Sequence, residues 1–157
     1  MLTLRLSTPG DVAELAALEL AADTGQWLGE TGRAWHERAL ADPDQEHLAA
    51  GEPGALRGFA VLAGLCHRDR GIELRRMVVA APFRGTGQGR ALLRAALTRA
   101  CCHHRARRVW LDVKPGNLRA RSLYESEGFT VVALPAHGPD PRGATGLVVM
   151  ERACPGE

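Results

Sequence analysis

The chain alternates between short apolar runs with a two-residue period and longer segments with helical spacing. Leu2, Leu4 and Leu6 alternate with polar residues, which predicts a half-buried first strand. The segment from Thr8 to Asp11 follows with an N-cap, a proline and an acid three residues after the cap, so it predicts the start of a helix. A second amphipathic segment, from Glu30 to Leu40, predicts a second helix.

The rest of the chain continues with strand and helix patterns separated by Gly and Pro. Strands are predicted at 46–50, 56–66, 72–79, 109–113, 129–134 and 147–152, and helices over 91–102 and 117–128. The short apolar run 109–113 is typical of a buried parallel strand, and 72–79 is predicted to be an antiparallel neighbour of 56–66. The order β-α-α-β-β-β-α-β-α-β-β predicts an α/β fold with a mixed sheet. With 157 residues, the chain has room for one domain, 1–157, and not for two ordinary ones.

A glycine-rich loop joins the strand 72–79 to the helix 91–102. Its sequence is Arg84-Gly85-Thr86-Gly87-Gln88-Gly89-Arg90. Glycines at alternate positions allow positive φ angles and let several N–H groups point into one concavity, at the positive end of a helix dipole. Because two arginines flank this concavity, the loop favours a phosphate or a pyrophosphate as its ligand.

Two common phosphate-binding motifs do not match this loop. A P-loop needs Lys and then Ser or Thr after its last glycine, where this chain has Arg90 and Ala91. The dinucleotide fingerprint G-x-G-x-x-G needs a third glycine at position 90, and this chain has it at Gly89. The remaining pattern is R-x-x-G-x-G/A, with Arg84, Gly87 and Gly89 at its fixed positions.

With this pattern, the chain resembles the GCN5-related N-acetyltransferase (GNAT) superfamily. A second block, residues 117–129, matches the family's N-x-x-A-x-x-(L)-Y-x-x-x-G-F pattern, and Met77-Val78-Val79 matches its hydrophobic-x-Val strand ending. The resemblance implies the acyl-CoA N-acyltransferase fold, whose order of elements is the predicted one. It also implies acetyl-CoA as co-substrate, and we expect no metal.

The resemblance implies a set of coenzyme-binding residues. Those that would hold the pyrophosphate are Arg84, Gly85, Thr86, Gly87, Gln88, Gly89 and Arg90. The strand ending Met77, Val78 and Val79 would bind the pantetheine arm and the thioester oxygen. Asn117 is fully explained as a helix N-cap, and the resemblance adds a bond to the pantetheine or phosphate part. Arg121 either reaches the phosphates or lies on a solvated helix face.

Two residues are candidates for catalysis. Glu73 matches the glutamate base of the histone-type members and would take a proton from the amine. Alternatively, Glu73 pairs with Arg75 or Arg76 or lies on a solvated face, and a water chain serves as the base. Tyr124, the only tyrosine, matches the position that protonates the leaving thiolate in the family, with a packed core ring as the alternative.

The acceptor is the least determined part of the prediction. In the family, the first two helices and the loop before the last strand shape the acceptor pocket. The charged and aromatic candidates in those segments of this chain are Glu19, Asp23, Trp27, Glu30, Trp35, Glu37, His137, Asp140 and Arg142. Such acids usually lie on the wet face of a helix, and such tryptophans in the core. Three hypotheses stay open: N-acetylation of a small-molecule amine, acetylation of a protein N-terminus or lysine, and a non-catalytic acyl-CoA-binding regulator.

Composition limits the partners and the compartment. The formal net charge of +2 gives no case for nucleic acid, and no apolar run reaches the roughly 20 residues that span a bilayer. We therefore expect a cytoplasmic enzyme, monomeric or homodimeric. The four cysteines are expected to be reduced thiols. The run Cys101 to His104 does not predict a zinc site, because consecutive helical residues diverge.

Overall fold

The computed structural model describes residues 2–20, 27–66, 71–133 and 147–155. Within these ranges, strands and helices follow one another in the predicted order. The strands are β1 (Leu4–Leu6), β2 (Gln45–Glu52), β3 (Ala55–Ala63), β4 (Ile72–Val79), β5 (Arg108–Val113), β6 (Thr130–Ala133) and β7 (Val148–Ala153). The helices are α1 (Val12–Glu19), α2 (Arg33–Ala41), α3 (Gln88–Thr98) and α4 (Leu118–Ser126). The predicted α/β fold class is confirmed.

Local capping explains where the first and last helices begin. The Asp11 carboxylate accepts the Thr8 N–H at 2.8 Å, which completes the predicted cap before α1. Asn117 Oδ1 accepts the Ala120 N–H at 3.3 Å at the start of α4. Short 3₁₀ turns lie at Pro9–Asp11 and Ala81–Phe83.

One mixed sheet contains the strands in the order β1-β2-β3-β4-β5-β7-β6. All neighbours are antiparallel except β4 and β5, which are parallel as predicted. This parallel pair is short, because only Ile72 and Glu73 are in register with β5, opposite Val109 and Trp110. Beyond Glu73 the two strands separate and leave a gap in the middle of the sheet.

A β-bulge in β4 changes which side chains share a face. Val61 of β3 is opposite Arg76, and the next residue, Leu62, is opposite Leu74, so Arg75 is the extra residue. Ile72 and Leu74 therefore share one face with Met77 and Val79, while Glu73 lies on the other face with Arg76 and Val78. The expectation that the neighbours of Glu73 point to the opposite face is confirmed.

Two apolar clusters cover the two faces of the sheet. Helix α3 contributes Leu93, Ala96 and Leu97 to the larger one, and α4 packs against it. Helix α1 contributes Leu15 to the smaller one, where it meets Phe59 and Val61 of β3. The α3–α4 side and the α1–α2 side of the sheet are thus built from separate helices.

The cysteine prediction is wrong for two of the four residues. Cys101 and Cys154 form a disulfide with a Cα–Cα distance of 5.5 Å, and Cys66 and Cys102 are free thiols. After Thr98 the helix continues as a π-helical turn, Arg99–His103, which packs Cys101 against the larger cluster beside the end of β7. The pairing escaped sequence reasoning because the two cysteines are 53 residues apart.

None of the helices in the described ranges is both long enough and apolar enough to cross a lipid bilayer.

Candidate functional site

The glycine loop forms an open turn at the start of α3. Gly85 and Gly87 have φ angles of +76° and +83°, and Gly87 is the N-cap of the helix. The first N–H groups of α3, beginning with Gln88, have no intrahelical acceptor, and among the described residues no side chain caps this end. A Cβ at Gly85 or Gly87 would meet no described atom within 4 Å. Outward N–H groups with free space in front of them fit a diphosphate.

Two unpartnered polar atoms lie in the first turns of α3 and α4. Gln88 Oε1 and Arg121 Nε are both buried and have no hydrogen-bond partner among the described residues. The two helices pack together here, since a Cβ at Gly89 would lie 3.7 Å from Leu123 Cδ2. Buried polar atoms without partners are costly, and a polar ligand would satisfy them.

The charged and hydroxyl side chains of the loop bind protein atoms in this structure. Arg84 Nε donates to the Val79 carbonyl at 3.2 Å, and Thr86 Oγ1 donates to the Phe83 carbonyl at 2.6 Å. Arg90 reaches across to α4, where it donates to Ser126 Oγ at 2.9 Å and forms an ion pair with Glu127. Backbone groups, more than these side chains, therefore face the open turn.

The gap between β4 and β5 exposes backbone groups of β4. The Ala80 N–H donates to the Arg57 carbonyl at 2.8 Å. Because alternate residues of an antiparallel strand bond to the same neighbour, the N–H groups of Met77 and Val79 point away from β3, toward the gap. Val78 is buried in the smaller cluster, and its N–H points to β3. Two N–H groups at this edge are thus available to an extended ligand.

Tyr124 packs on the α3–α4 side of the sheet. Its ring lies against the larger cluster, with a centroid distance of 5.7 Å to Phe129. Burial raises the pKa of Tyr124 to about 12, so the phenol stays protonated at neutral pH. The ring of Tyr124 is thus packed, as the alternative in the sequence analysis expects. A packed ring can still use its hydroxyl as a hydrogen-bond donor.

Glu73 and Asp112 face the α1–α2 side of the same gap. Glu73 Oε1 accepts from Arg75 at 2.8 and 3.0 Å, so the alternative in which Glu73 pairs with Arg75 is present in the structure. Asp112 follows Trp110 on β5, and both alternate with residues of the larger cluster, so they share the face of Glu73. Desolvation by the surrounding protein raises the pKa of Asp112, and the negative charge of Glu73 raises it further.

Sequence reasoning missed Asp112. A signal was present, because Asp112 interrupts the apolar run 109–113 at a position that alternates with buried residues. In a strand read as fully buried, an acid at that position indicates a face that contacts solvent or a ligand.

The predicted acceptor residues fall into three groups. Trp35 packs against the smaller cluster, whereas Trp27 is more exposed and its ring would lie 3.9 Å from a Cβ at Gly116. Glu37 is exposed, and Glu30 pairs with Arg38 at the surface. The expectation that these acids lie on the solvent-exposed face of a helix is wrong for Glu19, which is only 1% exposed. Four residues lie outside the described ranges: Asp23, His137, Asp140 and Arg142.

Burial of Glu19 is possible because several groups bind its carboxylate. Burial alone would raise the pKa of Glu19, but the hydrogen bond from His36 and the charge of Arg76 outweigh this effect, and the pKa is lowered. Glu19 is therefore ionised inside the protein.

Among the described residues, no group of three or more His, Cys, Asp or Glu side chains could hold a metal ion.

Comparisons with known proteins identify the family. The sequence profile of the Acetyltransferase (GNAT) family matches residues 12–129, from the start of α1 to the residue before β6. The chain belongs to the GNAT acetyltransferase family. Uncharacterised N-acetyltransferases of Mycobacterium tuberculosis and Mycobacterium bovis are 35% identical to it over 92 residues. The match covers 59% of this chain and 57% of theirs, so it spans little more than half the length of these relatives.

Solved GNAT structures share the fold over nearly the whole chain. A spermidine N-acetyltransferase from Vibrio cholerae, in complex with CoA and spermine, superposes with a TM-score of 0.78 at 19% identity, covering 98% of this chain and 95% of that one. The ribosomal-protein-S18-alanine N-acetyltransferase from Escherichia coli superposes with a TM-score of 0.75 at 19% identity, covering 100% and 96%. At these identities the likeness establishes the fold alone.

Proposed function

We propose that the protein is an acetyl-CoA-dependent N-acetyltransferase that acts on a primary amine of a small molecule, by direct attack within a ternary complex. The observation that carries this proposal is the open glycine turn, which leads directly from the strand that borders the gap. A diphosphate bound to the first N–H groups of α3 would direct the pantetheine arm along β4, past the N–H groups of Met77 and Val79.

The chain has groups of the right chemistry to stabilise the charge that develops on the thioester oxygen and on the leaving sulfur. The amine nitrogen attacks the thioester carbon, the C–S bond breaks, and negative charge passes from the carbonyl oxygen to the sulfur. The N–H groups at the gap would stabilise the charge on the oxygen. Tyr124 would then donate a hydrogen bond to the departing thiolate; because burial raises the pKa of the phenol to about 12, above the value near 8.5 of a thiol, the proton stays on Tyr124 and the hydroxyl stabilises the sulfur anion.

The proton of the amine needs a base on the opposite side of the gap. Glu73 has the position that the family resemblance implies, but its carboxylate already binds the Arg75 guanidinium. Asp112 is the second candidate, because its raised pKa makes it a stronger base than an ordinary aspartate. A direct base is supported by this pair of carboxylates, and a water chain remains the alternative.

The nature of the acceptor separates the proposal from its alternatives. The structural neighbours include one enzyme named for spermidine and one named for the alanine of a ribosomal protein. Both small-molecule and protein acetylation thus occur on closely similar folds. The two carboxylates and Trp110 on one face favour a cationic amine. A non-catalytic regulator would not need Tyr124 or either carboxylate.

Coenzyme binding and thiol release test the proposal together. We expect calorimetry to detect acetyl-CoA binding, and thiol release to depend on an added amine from a panel that includes spermidine and an alanyl peptide. Binding without amine-dependent release would favour the regulator, and release with the peptide alone would favour protein acetylation. Absence of binding would refute the proposal.

The two carboxylates can be distinguished by their pH profiles. If Asp112 is the base, Asp112→Asn should lower kcat by about 100-fold or more and remove the acidic limb of the profile, where protonation of the wild-type carboxyl suppresses the rate. Glu73→Gln should then shift that limb to lower pH, because a negative charge next to Asp112 is lost. The opposite pattern would assign the base to Glu73, and an unchanged limb in both variants would favour a water chain.

A further inference from the structure

A chain of buried polar side chains crosses the α1–α2 side of the sheet. Ser7 Oγ lies 2.8 Å from His47 Nδ1, His47 Nε2 lies 2.8 Å from His36 Nδ1, and His36 Nε2 lies 2.8 Å from Glu19 Oε1. Arg76 Nη1 then donates to Glu19 Oε1 at 3.0 Å. Each of the five residues is at most 9% exposed. So many buried polar groups are costly unless they are fully paired, which suggests a role beyond packing.

At its Arg76 end, this row of polar side chains fastens the segment before α2 to β4. Arg76 Nη2 donates to the Glu30 carbonyl at 2.7 Å, and its Cζ lies 3.8 Å from the ring centroid of Trp35. The second carboxylate oxygen of Glu19 accepts the Gly32 N–H at 3.2 Å. The Glu19–Arg76 pair therefore holds the residues just before α2, and the first turn of α2, against the sheet.

The fastened residues Glu30 and Trp35 form a wall of a cavity next to the Arg75–Glu73 pair. A cavity of about 110 Å³ is lined by Glu30, Trp35, Arg38, Ala39, Gln45 and Arg75. Arg75 also binds Glu73. Because of the bulge at Arg75, Arg76 shares the face of Glu73, and its guanidinium stacks on the Trp35 ring. One guanidinium thus connects the strand that carries Glu73 to the wall formed by Glu30 and Trp35.

We propose that Arg76, fixed by Glu19, is a positioning residue for the amine acceptor, and that it sets the distance between the Glu30–Trp35 wall and β4. This inference rests on the proposed N-acetyltransferase function. The planar guanidinium makes two hydrogen bonds in different directions and stacks on an indole, a combination that a lysine ammonium cannot provide. The polar chain through His36 and His47 holds Glu19 in place for this purpose.

Arg76→Lys tests the inference, because Lys keeps the positive charge next to Glu19 but loses the fork and the stacking. We expect amide hydrogen exchange in the segment 30–35 to rise about tenfold or more, and exchange in the first turns of α3 to stay within about twofold. With spermidine or an alanyl peptide as acceptor, the acceptor KM should rise about tenfold, the coenzyme KM should change less than about twofold, and kcat should fall less than the acceptor KM rises.

Arg5→Lys is the matched control. Arg5 forms a similar forked pair with Asp11, at 2.8 and 2.9 Å, on the same side of the sheet but at β1. The control variant should leave exchange in 30–35 and the acceptor KM at their wild-type values. If Arg76→Lys does not unfold cooperatively, Trp35→Leu takes its place, because it removes the wall residue and keeps the Glu19–Arg76 pair; the same rise in acceptor KM is expected.

The outcomes separate this inference from the proposed function. A wild-type protein that releases no thiol with any amine refutes the function, and the exchange result then decides by itself whether Arg76 fastens the segment. An active wild type whose Arg76→Lys variant shows unchanged exchange, or a raised coenzyme KM with an unchanged acceptor KM, overturns the inference. Raised exchange together with a raised acceptor KM supports it.

Discussion

The two sides of the sheet are built by different means. On the α3–α4 side, the candidate diphosphate site is a stretch of backbone, and its geometry comes from consecutive residues such as Gly85 and Gly87. On the α1–α2 side, the polar chain joins residues far apart in sequence, with Glu19 and Arg76 separated by 57 positions. A local site tolerates changes elsewhere in the chain, whereas a network of distant side chains depends on the whole fold. Substitutions on the two sides should therefore change different measured properties of the protein.

The largest effect is expected for Tyr124→Phe. This change removes one hydroxyl and keeps the ring that packs 5.7 Å from Phe129. Loss of the hydroxyl that donates a hydrogen bond to the leaving sulfur should lower kcat by about 100- to 1000-fold, while the Kd for acetyl-CoA stays within about threefold. Steady-state kinetics and calorimetry on the same preparation measure both. A kcat within about threefold of wild type would show that Tyr124 is only a packed ring.

Gly87→Val should break the candidate coenzyme site without breaking the fold. A branched side chain at a φ of +83° is strained and would project into the open turn, so we expect acetyl-CoA affinity to fall by about 100-fold. Gly54→Val is the matched control, since Gly54 has a φ of +84° and equally open surroundings in the β2–β3 turn. The two variants should lose similar stability, and only the first should lose binding. Equal affinities would remove the glycine turn from the coenzyme site.

On the α1–α2 side, His47 should make stability depend on pH. Burial lowers the pKa of His47 from the ordinary 6.5 to about 4, so the folded state favours the neutral imidazole. The resulting stability is present above pH 6.5 and is lost as the pH falls toward 4; between pH 7 and pH 5 the free energy of unfolding should drop by about 2 kcal/mol. Urea unfolding at several pH values measures this drop.

Two variants isolate the contribution of His47. His47→Gln has no titrating ring and should lose about 2 kcal/mol less than wild type over the same pH interval. Ser7→Ala removes the hydroxyl at Nδ1 but keeps the imidazole, so it should be less stable at every pH and retain the wild-type pH dependence. If His47→Gln shows the same drop as wild type, the pH dependence arises elsewhere.

The smallest effect distinguishes two arginines on the α3–α4 side. Arg121 Nε is buried without a partner, whereas Arg90 is already paired with Glu127 and Ser126. We therefore expect Arg121→Gln to weaken acetyl-CoA binding about tenfold and Arg90→Gln to weaken it less than about threefold. Calorimetry on both variants measures the two affinities for acetyl-CoA. A larger loss of affinity in Arg90→Gln than in Arg121→Gln would mean that Arg90 leaves Glu127 when the coenzyme binds.

The features that could be predicted from the sequence depend on neighbouring residues. The order of strands and helices, the cap at Asn117 and the glycine turn follow from short-range spacing, and the structure has all three. The parallel pairing of β4 and β5 was also predicted, because a strand, a glycine loop, a helix and a second apolar strand form one local unit.

The features that escaped prediction depend on contacts across the chain. An acid on an amphipathic helix usually faces water, and only the approach of His36 and Arg76 makes it favourable to bury Glu19. The Cys101–Cys154 disulfide requires the end of α3 to meet the end of β7. The bulge at Arg75 reverses the side-chain alternation of β4 and thereby brings Arg76 to the face of Glu73.

The sequence alone was sufficient to predict the family, the order of elements and the open turn at α3. The family resemblance depends on short motifs, and backbone conformation is governed by residues a few positions apart. Folding in three dimensions decided which acids are buried, which guanidinium binds which carboxylate and what faces the gap between β4 and β5. The physical reason is that the protonation state and position of a buried polar side chain depend on partners brought together only by packing of the whole sheet and its helices.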